Sequence, residues 1–478
     1  MDLDATAALD LLRSALVPIW GNTILATTTE PESAPLVLAG VLLSLVVIYL
    51  ASKIGGELSN LIGLPPVLGE LVGGVVVGIS ALHLLVFPEG GGDSANSAIV
   101  HFLQTTAGLT PDAAVATFQT QSEVVSVLAE LGVIVLLFEI GLESNLKELL
   151  AVGSQAAIVA VVGVIVPFAA GTAGLMTLFH VSAIPAIFAG AALTATSIGI
   201  TSKVLSELGT LNSKEGQIIL GAAVIDDVLG IIVLAVVASL AKTGEIDVSN
   251  VIYLIISASG FLLGAILLGN VFNHSFVTIA DKLKTRGRIT IPAFIFAFLM
   301  SYLAAAIQLE AILGAFAAGL VLDETDKRKE LQTQVCPIAD MLVPIFFVSV
   351  GAKTDLSVLN PLVPSNREGL IIASFLIAIA IAGKLVTGLA VFGQPNINRL
   401  AIGVGMIPRG EVGLVFAGVG SASGVLSKPL EAAIIVMVIL TTFLAPPLLR
   451  FVFPASTEPL GSDVPTPATE TFGSTDAK

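Results

Sequence analysis

The sequence predicts an all-α polytopic membrane protein of about thirteen transmembrane helices, arranged as inverted repeats with two broken crossing helices. Composition is the first reason: 55% of residues are hydrophobic and only 12% charged, with a mean hydropathy of +0.98. A soluble globule of that composition would leave far too much apolar surface in water. The second is a series of apolar runs near residues 34–55, 61–86, 122–142, 152–179, 184–206, 216–241, 249–272, 289–309, 311–323, 337–352, 369–393, 398–421 and 430–453. At roughly 20 residues per crossing these are about thirteen spans, with 311–323 and 337–352 short. An odd number places the termini on opposite sides.

The third reason is an internal repeat. Leu64 to Val77 (LPPVLGELVGGVVV) matches Leu309 to Leu322 (LEAILGAFAAGLVL), aligning Gly69 with Gly314 and Gly74 with Gly319. Leu137 to Leu146 (LFEIGLESNL) then matches Phe347 to Leu356 (FVSVGAKTDL), aligning Gly141 with Gly351. The matched spans are the second with the ninth and the third with the tenth, seven crossings apart, and an odd offset inverts the second copy. Inverted repeats place a substrate site at the midplane between halves, where one bundle moves against the other. The organisation expected is an N-terminal segment (1–33), a first inverted repeat (34–241), a linker helix (249–272), a second inverted repeat (289–453) and a disordered C-terminal tail (454–478).

Taken in order, residues 1 to 33 lack the basic start and clear cleavage site of a signal peptide, and Leu11 to Trp20 is expected to lie along the interface. Residues 88 to 121 carry Glu89, Asp93 and Asp112 and no lysine or arginine. They read as a solvated loop, with an acidic antechamber for cations as the sharper alternative. After Phe453 the chain is rich in Pro, Ser, Thr and Glu, a composition that favours disorder. If the spans alternate, one face collects fourteen of the 21 lysines and arginines, including Lys53, Lys147, Lys203 and the basic run from Lys282 to Arg288, and the other face five. Lys384 and Arg409 fall inside spans. The basic face is expected to be cytoplasmic, with the N-terminus outside and the C-terminus inside. The net charge of -15 argues against nucleic acid as a partner. The single Cys336 rules out an intrachain disulfide, and the four histidines form no metal-ligand pattern, so no cofactor is expected.

Asp226 and Asp227 stand side by side in the apolar run 216 to 241 (GQIILGAAVIDDVLGIIVLAVVASLA). A carboxylate at that depth costs several kcal/mol unless it meets water, a cation or a proton, so the pair reads as an ion or proton site. Two other spans carry helix-weakening chemistry. Residues 191 to 202 (AALTATSIGITS) crowd Thr194, Thr196, Ser197 and Thr201 into the fifth span, and Gly405 to Gly413 (GMIPRGEVG) puts Pro408 and Gly410 into the twelfth. Both are expected to unwind near the midplane, although the hydroxyls also suit bonds back to their own helix. Lys384, in IAIAGKLVT, needs a buried partner, and an ion pair with Asp226 would leave Asp227 for a transported cation; snorkelling to the interface is the alternative. Arg409 and Glu411 flank Gly410 and suggest a structural network more than direct ion binding. Glu139 and Glu70 lie within apolar runs, where each either hydrogen-bonds between helices or supports transport.

Together, GLPPVLGELVGG (63–74), LLFEIGLE (136–143), ALTATSIGIT (192–201), AAVIDDVLGI (222–231), GK (383–384) and MIPRGEVGL (406–414) resemble the bacterial monovalent cation:proton antiporters, which include sodium/proton exchangers. The likeness spans nearly the whole membrane region. It implies a homodimer whose subunits each pair a dimerisation domain with a mobile six-helix core, here the fourth to sixth and eleventh to thirteenth spans. It also implies Asp227 as the main cation and proton carrier, Asp226 paired with Lys384, and Thr196 lining the site, with Thr194, Ser197, Glu139, Arg409 and Glu411 in supporting positions. An aspartate before Asp227, with Lys384 present, resembles the electrogenic branch.

The expected function is secondary active exchange of Na+, or of Li+ or K+, for H+ across the cell membrane or an internal energy-transducing membrane such as the thylakoid. A K+/H+ antiporter and a sodium-coupled solute symporter are the alternatives, and a channel would use similar polar breaks without obligatory counter-movement. No paired catalytic constellation outside the membrane points to an enzyme.

Overall fold

In helix α1 (Ala34–Leu61), Leu38, Leu42, Val46, Leu50, Ile54 and Leu58 recur every fourth residue and each is more than half exposed, while Val41, Ser44, Ile48 and Ser52 are buried. An apolar stripe turned outward and small polar residues turned inward is the pattern of a helix whose outer solvent is hydrocarbon. This computed structural model describes residues 34–243, 247–393 and 397–453. The segment 1–33, with its expected interfacial stretch, and the tail 454–478 lie outside the described residues.

After α1 come α2 (Pro66–Val77), α3 (Ala98–Ala107), α4 (Pro111–Glu143), α5 (Leu146–Ala151), α6 (Gly153–Leu178), α7 (Ala183–Ala192), α8 (Ile198–Glu207) and α9 (Lys214–Thr243). The second half holds α10 (Val248–Lys282), α11 (Thr290–Ala306), α12 (Ala311–Asp323), α13 (Arg328–Ala352), α14 (Pro364–Thr387), α15 (Arg399–Gly405), α16 (Glu411–Ala422) and α17 (Lys428–Val452). Among the described residues there is no strand. Eight helices are long and apolar enough to cross a membrane, and five more are shorter apolar helices. The thirteen apolar runs each fall on one helix or on a pair of half-helices. The short run 311–323 is all of α12, buried on every side from Ile312 to Asp323, so protein and not lipid sets its length. The run 337–352 is the end of the 25-residue α13, and 249–272 lies within the 35-residue α10.

The region 88 to 121 is not a solvated loop. Ser97 accepts from the Val100 amide at 3.3 Å and starts α3, Thr110 and Pro111 start α4, and Val86, Val100, Ala114 and Phe118 form a small buried cluster. Glu89 lies 3.8 Å from Lys353, so one of its three acids is already engaged. Capping residues and a cluster of four buried apolar side chains outweigh the polar composition on which the loop reading rested.

Packing divides the helices into two groups. In one, α1, α2, α4, α11, α12 and α13 pack on one another; in the other, α6, α7, α9, α14, α16 and α17 do, joined by α15, while α8 packs on α9 and α17 of this group and also touches α2 and α4 of the first. Four crossings in the first group are made at the glycines of the internal repeat, where backbones approach too closely for a side chain. A Cβ on Gly69 would stand 2.0 Å from the Gly55 oxygen in α1, and one on Gly314 would stand 2.2 Å from the Met300 oxygen in α11. Likewise Gly74 meets Gly351 where α2 crosses α13, and Gly319 meets Gly141 where α12 crosses α4. Exchanging α2 with α12 and α4 with α13 turns one crossing into the other. Gly319→Leu is expected to cost about 1–3 kcal/mol, because the nearest atom, the Phe138 oxygen at 2.4 Å from the new Cβ, is backbone. Thermal unfolding in detergent checks this, and an unchanged midpoint would mean the crossing opens freely.

Candidate functional site

The chain breaks twice in the second group, between α7 and α8 at residues 193–197 and between α15 and α16 at residues 406–410. Pro408 has no amide proton to continue a helix. The freed backbone groups of the two breaks satisfy one another. The Ser197 amide donates to the Pro408 carbonyl at 2.8 Å, the Thr201 hydroxyl to Gly405 O at 3.0 Å and the Thr196 hydroxyl to Met406 O at 3.3 Å. Arg409 Nη1 donates to Ala195 O at 2.6 Å, and the Thr442 hydroxyl of α17 donates to Arg409 O at 2.5 Å. Thr194 turns back on its own helix, donating to Ala191 O at 2.8 Å. Gly410 sits against Ser197, where a Cβ would lie 2.8 Å from the hydroxyl oxygen, so the segments cross in contact. Two helix N-termini and two C-termini converge here, bringing partial charges of both signs to one point.

Asp226 and Asp227 project from the middle of α9 beside this crossing, and both are buried. Lys384 on α14, fully buried, places Nζ 3.1 Å from Asp226 Oδ2. The ammonium lies over Gly163 of α6, where a Cβ would come within 3.1 Å of it. Arg409 is equally buried and lies within electrostatic reach of Asp226. One carboxylate is thus flanked by two cations, which offsets the cost of burying it.

Asp227 faces a different environment. With Ala195, Thr196, Ser197 and Gly410 it lines a cavity with about 10 Å³ of room for the centre of a water-sized sphere, enough for one water molecule or one cation. Glu310, just before α12, with Ile198, Ile312 and Val412 completes the wall. Carboxylate, hydroxyl and backbone carbonyl oxygens are the donors that hard monovalent cations take.

The structure brings Asp226, Asp227, Thr194, Thr196, Ser197, Lys384 and Arg409 together. The Glu411 side chain lies outside what is described. Glu139 is placed elsewhere, within electrostatic reach of Lys203, Glu143 and Asp340. Glu310 escaped the sequence reading, because it sits in the turn before an apolar run. Its one signal was an acid opening the second copy of the repeat, where the first has Pro65.

Crossed half-helices and paired buried aspartates define an ion-translocating membrane protein, and comparison with known proteins agrees. Residues 31–454 match the model of the family described as sodium/hydrogen exchanger, transmembrane. The chain belongs to this family. It is 64% identical over 452 residues to the high-affinity Na+/H+ antiporter NhaS3 of Synechocystis sp., covering 95% of this chain and 98% of that protein. It is 33% identical over 413 residues to the Na+/H+-K+ antiporter GerN of Bacillus cereus, covering 85% of this chain and 95% of that one. The structure of the sodium proton antiporter MjNhaP1 of Methanocaldococcus jannaschii superposes with a TM-score of 0.57 over 89% of this chain and 100% of that one, at 16% identity, a likeness of fold.

Proposed function

We propose that the protein is a secondary active antiporter that exchanges Na+, or another monovalent cation, for H+ by alternating access. Asp227 is the carboxylate that both ions share. The observation that carries this reading is the division of labour within the pair: Asp226 is held by Lys384 at 3.1 Å, whereas Asp227 lines the single-ion cavity.

A bare carboxylate is expensive at this depth, and a proton or a cation relieves the cost equally well. Both cannot occupy it at once. If the helices carrying the site move readily when Asp227 is neutralised and poorly when it is empty and charged, a proton gradient drives cations the other way. The mobile unit is the group containing α6 to α9 and α14 to α17, and the other group is the scaffold. Equivalent glycine crossings in the two halves support an inverted repeat. The excess of basic residues on one face supports an external N-terminus and a cytoplasmic C-terminus. The resemblance described above supports a homodimer in a cell or energy-transducing membrane.

Proteoliposomes holding a pH-sensitive dye test the function. Na+, Li+ and K+ added singly to one side are each expected to produce saturable proton movement to the extent that they fit the cavity, and a proton gradient should drive cation accumulation. The K+ in the name of the Bacillus relative makes the ion-by-ion series necessary. Flux that never runs uphill would indicate a channel, and saturable uptake of an organic solute a symporter.

A further inference from the structure

A second cluster of titratable side chains lies between the two helix groups, away from the aspartates. It gathers where the end of α8, in the mobile group, meets the scaffold. Ser206 Oγ donates to Glu143 Oε2 of α4 at 2.9 Å, and Glu207 Oε2 accepts from the Val67 amide of α2 at 3.4 Å. Between them Lys203 lies within electrostatic reach of Glu207 on its own helix and of Glu139, Glu70 and Asp340 on α4, α2 and α13. Glu70 is steadied by the Ser52 hydroxyl of α1 at 2.8 Å.

The position of this cluster along the scaffold gives it meaning. Helix α12 begins beside the Asp227 cavity, with Ile312 in its wall. It ends at Asp323, which lies 2.7 Å from Arg328, and Arg328 in turn donates to the Glu143 carbonyl at 3.1 Å. Thirteen residues at about 1.5 Å each put the two ends roughly 20 Å apart. The cavity therefore lies deep in the molecule, and the cluster joins the two groups between it and the face of Lys147 and Lys203.

We propose that Lys203, Ser206 and Glu207 form a latch that holds the mobile group in the present conformation and keeps the route to Asp227 closed on the Lys147 face. The inference rests on the alternating-access reading. Lys203 is the positive charge within reach of Glu207, Glu70 and Glu139, and it offsets the repulsion between Glu207 and Glu70. Without it, carboxylates of one sign face each other across the boundary and push the groups apart. The three are positioning residues. None lines the ion cavity, and each acts through the position of α8. When the mobile group shifts, Ser206 and Glu207 must leave Glu143 and the Val67 amide, and the exposed glutamates then line the newly opened vestibule.

The test uses the full chain reconstituted in vesicles of each orientation, with the apparent KM for Na+ measured from each face. Lys203→Gln is expected to shift the population away from the latched state. The KM on the face opposite Lys147 should rise about three- to tenfold, in proportion to the lost fraction of competent protein, and the KM on the Lys147 face should fall. Ser206→Ala should do the same more weakly, and the double exchange K203E/E207K should return both values towards the original. Unchanged values on both faces would overturn the latch, as would equal shifts in one direction with no recovery in the double exchange. If Lys203→Gln does not insert, Ser206→Ala, which removes the hydrogen bond to Glu143 across the boundary without changing the charge, gives the same reading. Failure of the latch leaves the exchange function standing, because that function is judged separately by whether Asp227 is needed.

Discussion

Asp227→Asn is expected to abolish cation-dependent proton movement in proteoliposomes while leaving a folded, membrane-inserted protein. Asparagine keeps the size of the side chain and its place in the cavity wall but cannot ionise. It neither binds a proton in exchange for a cation nor presents a full charge to one. Losing a charged ligand from a buried oxygen shell costs about 3 kcal/mol, on the order of a hundredfold or more in affinity. Because the lost group also carries the proton, weak binding cannot rescue coupling at high Na+. Thermal unfolding should be near normal, since the variant removes a buried charge. Substantial sodium-dependent proton flux in this variant would reject Asp227 as the shared carrier.

The second large effect is on stability. Lys384→Ala removes the partner of Asp226 from a site where both are fully buried, and breaking such a pair from one side typically costs about 3–5 kcal/mol. Arg409, within reach of the same carboxylate, softens the loss without replacing the direct hydrogen bond at 3.1 Å. Asp226→Asn in the Lys384→Ala background should recover part of the stability, because it removes the carboxylate left alone. A double-mutant cycle on thermal midpoints isolates the coupling. An uncoupled pair, with the two single losses simply adding, would remove Lys384 from its proposed role.

Much of this architecture was legible in the sequence because bilayer physics allows few solutions. Apolar runs had to be helices, Pro408 beside Gly410 weakened one, and Lys384 in an apolar run read as needing either a buried anion or a route to the interface. The threonines and serines of residues 194 to 201 were equally readable as helix breakers, since hydroxyls were the obvious substitutes for missing backbone partners. What could not be read was adjacency between groups remote in the chain. Glu310 belongs to a turn in sequence and to the Asp227 cavity in space. Lys203 counts in sequence only among the basic residues of one face and Glu207 carries no signal of its own, and only packing against α2 and α4 makes them a cluster. The helices within 88 to 121 were missed for another reason. Ser97, Thr110 and Pro111 are sound start signals, but short amphipathic helices among glycines and acids give a weak periodic pattern.

The hydrogen bonds around the two breaks come from Thr196, Thr201, Arg409 and Thr442, all in the same packed group. If the site travels with this group, as proposed, the oxygen shell is framed from within and has no reason to change shape. Ionic preference should then be identical whichever compartment it faces. Glu310 is the exception, because it precedes α12 of the other group, so any difference in ion ranking between the two compartments should vanish when that one carboxylate is neutralised.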